Sequence, residues 1–233
     1  MPPTEHTIKQ FDADLEHIRS MVLQMGGLVE SQIRNALRGL LASDADAIES
    51  AIALDRQVNE FEVEIDEACA QIIARRQPTA GDLRTVLSIA KTVTDLERMG
   101  DEAKKIARTA KNILDRGQLV VPRLADVTHA AEVALEMLRT ALDAYARLDS
   151  VAAQDLIRAD EQLDIEFRAI MRQLITYMME DPRTISPAID IVWIAKAIER
   201  IGDHSKNIAE HVVYIVDGTD IRHTKGQAGA SLA

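Results

Sequence analysis

Apolar side chains recur every three or four positions along most of the chain, which is the spacing that places them on one face of an α-helix. Helix-ending residues interrupt this pattern at Pro78, at Gly117 with Pro122, and at Pro182. Hardly any stretch alternates apolar and polar residues as a half-buried strand does. The sequence therefore predicts an all-α fold of six long helices, at about 6–41, 44–76, 79–115, 123–148, 150–180 and 186–217.

The six predicted helices form two groups of three that are joined by short loops. Each group is expected to be an up-down-up three-helix bundle, so the architecture is two tandem repeated three-helix bundles. The first predicted domain covers residues 6–116 and the second covers residues 123–217. Residues 218–233 are Gly, Ala and polar residues without any apolar period, and we expect a disordered tail there.

One segment of the chain occurs twice, in the third predicted helix of each half. ERMGDEAKKIA at 97–107 returns as ERIGDHSKNIA at 199–209, with Glu, Arg, Gly, Asp, Lys, Ile and Ala at the same places. Such self-similarity indicates that the chain is one structural unit used twice. Both copies also carry an apolar seam at heptad spacing, which predicts packed helices. Beside the seam runs a stripe of small residues that lets a neighbouring helix come close, at Val93, Gly100, Ala107, Ala195, Gly202 and Ala209.

Each copy of the repeat carries two carboxylates four residues apart, Glu97 with Asp101 and Glu199 with Asp203. Four residues on a helix turn by about 400°, so both members of a pair lie on one face. Like charges at this spacing repel each other by a few tenths of a kcal/mol, and a bound cation reverses the sign of that interaction. Because carboxylate oxygens are ligands for Mg, Mn, Ca or Fe, each pair is a candidate part of a metal site.

In the second half, the facing helix offers another acidic pair. Counting back from the turn at Pro182 places Asp164 opposite Glu199. The same count places Asp160 opposite Asp203, and the two aspartates are again four residues apart. The sequence therefore predicts four carboxylates across one groove between two antiparallel helices.

In the first half, the same count gives three carboxylates and one amide. Counting back from Pro78 places Asp55 opposite Asp101. It places Asn59 opposite Glu97, where an acid would complete the set. Asparagine can bind a cation through its carbonyl oxygen but contributes no charge, so we expect the second site to bind a metal ion more tightly than the first.

The plain alternative is that these acids lie on solvated helix faces, as most surface charges do. Arg98 and Arg200 would then neutralise them through surface ion pairs, which contribute little to stability. His204 follows Asp203 and is a further candidate ligand, although a histidine at such a place is more often a surface residue. The repetition of the acidic pairs at matched positions is what favours a metal site.

Composition narrows the choice of partners and compartment. The 233 residues carry a formal net charge of −11, which argues against nucleic acid and anionic membranes as partners. The single cysteine, Cys69, allows no disulfide within the chain and fits a reducing compartment. The N-terminus lacks the pattern of a secretion signal, and no apolar run approaches the roughly 20 residues of a membrane span. We therefore expect a cytoplasmic protein without direct membrane insertion.

The motifs QPTAGDLR, DLERMGD, MMEDPR and ERIGDHSKNIAE together resemble those of the PhoU family, the regulators of bacterial phosphate uptake. The resemblance covers about residues 6–217. It implies two repeated three-helix bundles and multinuclear metal sites on E/D-x-x-x-D motifs, with iron in some members. The residues that match these ligands are Glu97, Asp101, Glu199 and Asp203, with Asp55, Asp160 and Asp164 on the facing helices. The identity of the metal, among iron, manganese, magnesium and zinc, stays open.

The resemblance also implies a role and partners. Members of the family restrain the phosphate-starvation response by coupling the ATPase subunit of a phosphate ABC transporter to a membrane sensor histidine kinase. A second copy of the chain is a further candidate partner. No catalytic residues come with the resemblance, so we expect a regulator and not an enzyme.

Two other functions compete with a metal-binding regulator. The first is a helical adaptor without any metal, in which the acids are solvated. The second is a carboxylate-bridged di-iron oxidase, a chemistry that helical bundles support with Glu-x-x-His motifs on two helices. No Glu-x-x-His occurs in this sequence, which argues against the oxidase.

Overall fold

The computed structural model describes residues 5–117 and 124–221, and within these ranges it contains α-helices and one 3₁₀ turn but no strand. The all-α prediction is therefore confirmed. The observed helices begin and end within a few residues of the predicted ones, and residues 222–233 of the predicted tail lie outside the described residues. The helices are α1 Glu5–Ala42, α2 Ala45–Arg76, α3 Ala80–Asp115, α4 Leu124–Arg147, α5 Ser150–Glu180 and α6 Ile185–Asp217.

Short polar residues begin the second helix of each half. The Asp44 carboxylate accepts a hydrogen bond of 3.0 Å from the backbone N–H of Ala47, which satisfies one of the free donors at the start of α2. Asp149 accepts equivalent bonds from Val151 and Ala152 at the start of α5. These caps fix where each long helix starts.

The helices form two layers. In the first layer α3 and α6 lie side by side in the centre, with α2 on the outer side of α3 and α5 on the outer side of α6. In the second layer α1 packs over α2 and α3, and α4 packs over α5 and α6. The central helices are antiparallel, since Arg116 after the end of α3 pairs with Asp190 near the start of α6 at 2.8 Å. Each half is thus a three-helix bundle, and the two bundles meet mainly along their third helices, with a smaller contact between α1 and α4.

The predicted stripe of small residues lies in the interior, where neighbouring helices come close. A Cβ atom on Gly202 would lie 2.2 Å from Cδ2 of Leu163, so the observed packing of this α5 side chain against α6 depends on the absence of a side chain at Gly202. On Gly100 a Cβ atom would lie 3.1 Å from the amide oxygen of Gln32 and 3.2 Å from a methyl group of Val58. The stripe therefore sets the width of the grooves that carry the acidic residues.

Candidate functional site

The groove between α2 and α3 holds the first acidic cluster, which we define as Asp55, Glu62, Glu97 and Asp101. Asp55 is buried, and Glu62, Glu97 and Asp101 are half-buried. Burial and the neighbouring charges of Asp101, Glu62 and Asp55 raise the pKa of Glu97. Burial, with Asp66 and Asp101, likewise raises the pKa of Glu62. Burial is the largest cause of both pKa shifts, and repulsion between the neighbouring acids adds to it, although the nearby Arg98 acts in the opposite direction.

The groove between α5 and α6 holds the second acidic cluster, Asp160, Glu199 and Asp203. Asp160 is buried, and the other two are half-buried. Burial, Glu199 and Asp160 raise the pKa of Asp203 to about 6, although Lys196 and Lys206 act in the opposite direction. The predicted fourth member, Asp164, forms an ion pair of 3.4 Å with Arg168 on its own helix.

A lysine from the repeated motif enters each cluster. Lys104 Nζ lies 2.5 Å from Oδ2 of Asp55, and Lys206 Nζ lies 2.5 Å from Oδ2 of Asp160. Burial lowers the pKa of Lys206, but the hydrogen bond to Asp160 and the nearby acids raise it, so the pKa lies above the usual value for lysine. Sequence reasoning missed both lysines as members of the site, although the same Lys in both copies of the repeat was a signal that could have found them.

The register between α2 and α3 differs from the one that simple counting gives. Lys104, and not Asp101, lies against Asp55, which is a shift of about three residues. Glu62 therefore takes the place beside Glu97 that we expected for Asn59, and Asn59 is exposed. The first cluster thus has a fourth carboxylate that the predicted set lacked.

The structure also changes the comparison of net charge between the two clusters, which the sequence predicted to be more negative in the second half. Lys196 pairs with Glu199 at 2.5 Å and lies over the ring of Phe167, so the second cluster contains two lysines. Arg98 also acts on Glu62 and Glu97, so the first cluster has four carboxylates with one lysine and one arginine, and the second has three carboxylates with two lysines. The first cluster is therefore the more negative, and the expectation of tighter binding at the second site loses its electrostatic basis.

The donor chemistry of both clusters fits a hard cation, since carboxylate oxygens are its preferred ligands and added positive charge stabilises neighbouring carboxylates. Their arrangement is not that of an assembled site. Within the described ranges no three histidine, cysteine, aspartate or glutamate side chains are placed so that they could hold a metal ion. Instead, one carboxylate of each cluster forms an ion pair with a lysine, Asp55 with Lys104 and Asp160 with Lys206.

A third polar cluster joins the two halves along α3 and α6. Asp95 is buried and accepts hydrogen bonds from Nδ1 of His204 at 2.8 Å, Nδ2 of Asn207 at 3.0 Å and Nε2 of His211 at 3.0 Å. Burial alone would raise the pKa of Asp95, but these three hydrogen bonds lower it to about 2. His204 is therefore a buried residue that binds the other half, which corrects the expectation of a surface histidine.

The arginine of the second motif also contacts the other half. Arg200 pairs with buried Glu102 of α3 at 2.8 Å, and Lys105 pairs with the same carboxylate at 2.9 Å. Arg200 thus pairs with an acid outside the predicted metal set. Consecutive residues of one motif face different surroundings, with Asp203 in the acidic groove and His204 in the interface between the halves.

The fold and these clusters define a tandem-repeat helical protein in which two acidic grooves flank a polar interface between the halves. Comparison with known proteins identifies the family to which it belongs. The PhoU domain pattern matches residues 22–110 and again residues 127–212. The chain belongs to the PhoU family.

Relatives from several bacteria match over almost the whole chain. A phosphate-specific transport system accessory protein PhoU homolog of Pseudomonas putida is 47% identical over 94% of this chain and 86% of its own length. The accessory protein PhoU of Escherichia coli strain K12 is 46% identical over 95% of this chain and 91% of its own. These names describe accessory proteins of a transport system and not enzymes.

Solved structures show the same fold. The crystal structure of PhoU from Pseudomonas aeruginosa superposes with a TM-score of 0.87 at 46% identity, covering 90% of this chain and all of that one (100%). The phosphate transport system regulatory protein PhoU from Streptococcus pneumoniae gives a TM-score of 0.82 at 30% identity, over 91% of this chain and 99% of its own. Both likenesses extend across the two bundles.

Proposed function

We propose that this protein regulates phosphate uptake and restrains the phosphate-starvation response when phosphate is plentiful. In this proposal it couples the ATPase subunit of a phosphate ABC transporter to a sensor histidine kinase. The observation that carries the proposal is the extent of the match, because both repeats and 94–95% of the chain align with phosphate-specific transport system accessory proteins.

The proposed role is one of binding, and the protein would act in the cytoplasm, where the ATPase subunit meets its nucleotide. Among the described residues, no helix is long and apolar enough to cross a membrane. The long helices of the first layer offer extended surfaces for protein partners. A second copy of this chain as a partner stays a prediction.

We also propose that both acidic clusters bind metal ions that prefer oxygen ligands. Asp55, Glu62, Glu97 and Asp101 would hold the ion in the first half, and Asp160, Glu199 and Asp203 would hold it in the second, with Asp164 one helical turn away. The support is that neighbouring acids, together with burial, raise the pKa values of Glu62 and Glu97 in the first cluster and of Asp203 in the second, and a cation would relieve that repulsion. A metal-free adaptor is the second candidate, and the lysines paired with Asp55 and Asp160 favour it.

The regulatory role predicts a loss-of-function phenotype. Deletion of the gene should raise alkaline phosphatase and phosphate-transporter expression in high-phosphate medium, because the restraint on the starvation response is removed. Reporter activity in the deletion strain, with and without the wild-type gene on a plasmid, measures this. Expression that stays at the repressed level in the deletion strain contradicts the proposed role.

Metal binding predicts a distinctive stability profile for Asp203→Asn. In chelator the variant should be more stable than the wild type at pH 7, because a carboxylate repelled by Glu199 and Asp160 is gone. The pKa of about 6 in the folded protein lies above the usual value near 4. The folded protein therefore binds a proton before the unfolded chain does, and wild-type stability should rise as the pH falls from about 7 to about 4. The variant should show a flatter profile.

Thermal unfolding between pH 4 and pH 7 measures this, first in chelator and then with added Mn²⁺. Mn²⁺ should raise the Tm of the wild type more than that of Asp203→Asn, since the ion stabilises the folded state that binds it. The exposed Asp217→Asn is the matched control and should leave both the pH profile and the Mn²⁺ response unchanged. A lower metal-free Tm for Asp203→Asn, with an undiminished Mn²⁺ response, would contradict the proposed site.

A further inference from the structure

Lys104 and Lys206 make the same contact in two parts of the chain that differ elsewhere in sequence. Both follow the motif aspartate by three residues, and both reach across to an aspartate on the neighbouring helix. The contacted residues, Asp55 and Asp160, lie outside the repeated motif. The fold has therefore placed an ammonium group against a buried carboxylate twice, in the same relation to the acidic clusters.

These pairs differ from ordinary surface ion pairs, which contribute little to stability. The side chains of Lys104 and Asp55 are 23% and 9% exposed, and those of Lys206 and Asp160 are 21% and 9% exposed. Another lysine of α3, Lys111, pairs with Glu49 of α2, but there both side chains are about half exposed, at 46% and 60%. The two motif lysines thus lie inside the clusters, where charges interact more strongly than they do in water.

We propose that Lys104 and Lys206 are tethered counter-ions that set the cation concentration at which each cluster binds a metal. Without a metal ion, each ammonium neutralises part of its cluster. Before Asp55 or Asp160 can coordinate a cation, the lysine must leave that carboxylate, which its long flexible side chain allows. This inference rests on the metal binding proposed above and assigns the lysines a role within it.

The experiment is a calorimetric titration of metal-free protein with Mn²⁺, for the wild type, Lys104→Gln and Lys206→Gln. Glutamine keeps much of the side-chain length but removes the charge that competes with the cation. Each substitution should lower the Kd of its own cluster by about tenfold or more, because a unit charge a few ångströms away contributes at least that much at a partly buried site. Lys111→Gln removes an equivalent lysine–carboxylate pair outside the clusters and should leave both Kd values unchanged.

A second pair of variants separates charge from packing. Lys104→Arg and Lys206→Arg keep the positive charge, so their Kd values should stay near those of the wild type. Arginine variants that bind Mn²⁺ as tightly as the glutamine variants would overturn the counter-ion role. Circular dichroism on every variant confirms that helix content is unchanged before the titrations are compared.

The failures of the two proposals are distinguishable. If the wild type binds Mn²⁺ and the glutamine variants bind it with the same Kd, the counter-ion role is wrong and metal binding stands. If neither the wild type nor the glutamine variants bind Mn²⁺ at millimolar concentration, both proposals are wrong. Binding by the glutamine variants alone supports the counter-ion role most directly, since the lysines would then be what prevents it.

Discussion

Asp95→Ala is expected to lower the free energy of unfolding by about 2–4 kcal/mol, because it leaves two buried donors and one half-buried donor without their acceptor. Those donors belong to His204, Asn207 and His211, and all three come from α6. Because Asp95 is on α3, the hydrogen bonds that are lost are bonds between the two bundles. We therefore also expect the two halves to lose part of their mutual stabilisation, which should broaden the unfolding transition.

Urea unfolding followed by circular dichroism measures the effect through the midpoint and the steepness of the transition. Asp115→Ala is the matched control, because this aspartate ends the same helix but is exposed. Its effect should stay within about 0.5 kcal/mol of zero. If Asp95→Ala unfolds with the midpoint and slope of that control, the hydrogen bonds at the interface do not hold the halves together.

The Asp95 cluster also shows where sequence reasoning ends. Periodicity predicted the helices, and the repeat predicted both acidic pairs, because these features depend on residues a few positions apart. The partners of Asp95 lie 109–116 residues away along the chain, and no local pattern connects them. Only the packing of α3 against α6 brings them together, so His204 had the sequence features of an ordinary surface histidine.

The register error between α2 and α3 has a definite physical cause. Counting back from a turn compares Cα positions, whereas side chains on a helix lean toward its N-terminus by about one residue. On two antiparallel helices the two displacements add, so the residues in contact differ from the counted ones by about two positions. The observed contact of Lys104 with Asp55 is shifted in this sense, which explains why Glu62 and not Asn59 joins the first cluster.

The geometry of the repeated motif links the acidic grooves to the interface between the halves. Asp203 faces Glu199 and Asp160 in the groove, and the next residue, His204, binds Asp95 of the other half. A rotation of α6 that improves metal coordination at Asp203 would therefore also move the His204 hydrogen bond. This connection gives the proposed metal sites a physical route to the relative position of the two bundles.

Gly202→Val should have the largest local effect on the second groove, with a loss of about 3 kcal/mol in the free energy of unfolding. The new Cβ would lie 2.2 Å from the Cδ2 methyl group of Leu163, which is itself buried in the core. With valine's two methyl groups added, we expect repacking of Leu163 and a shift of α5 from α6, which would draw Asp160 away from Asp203. We expect Mn²⁺ binding to weaken at the second cluster and to remain unchanged at the first.

The matched control for this prediction is Gly27→Val, since Gly27 is an exposed helical glycine and a Cβ atom added to it would have no neighbouring atom within 4 Å. A valine there has helix propensity similar to or better than that of glycine, so stability should change by only about 0.5 kcal/mol. Thermal unfolding and Mn²⁺ titration of both variants measure the comparison. Equal stability of the two variants would mean that α5 can shift at little cost, and that the small-residue stripe does not hold the groove at its observed width.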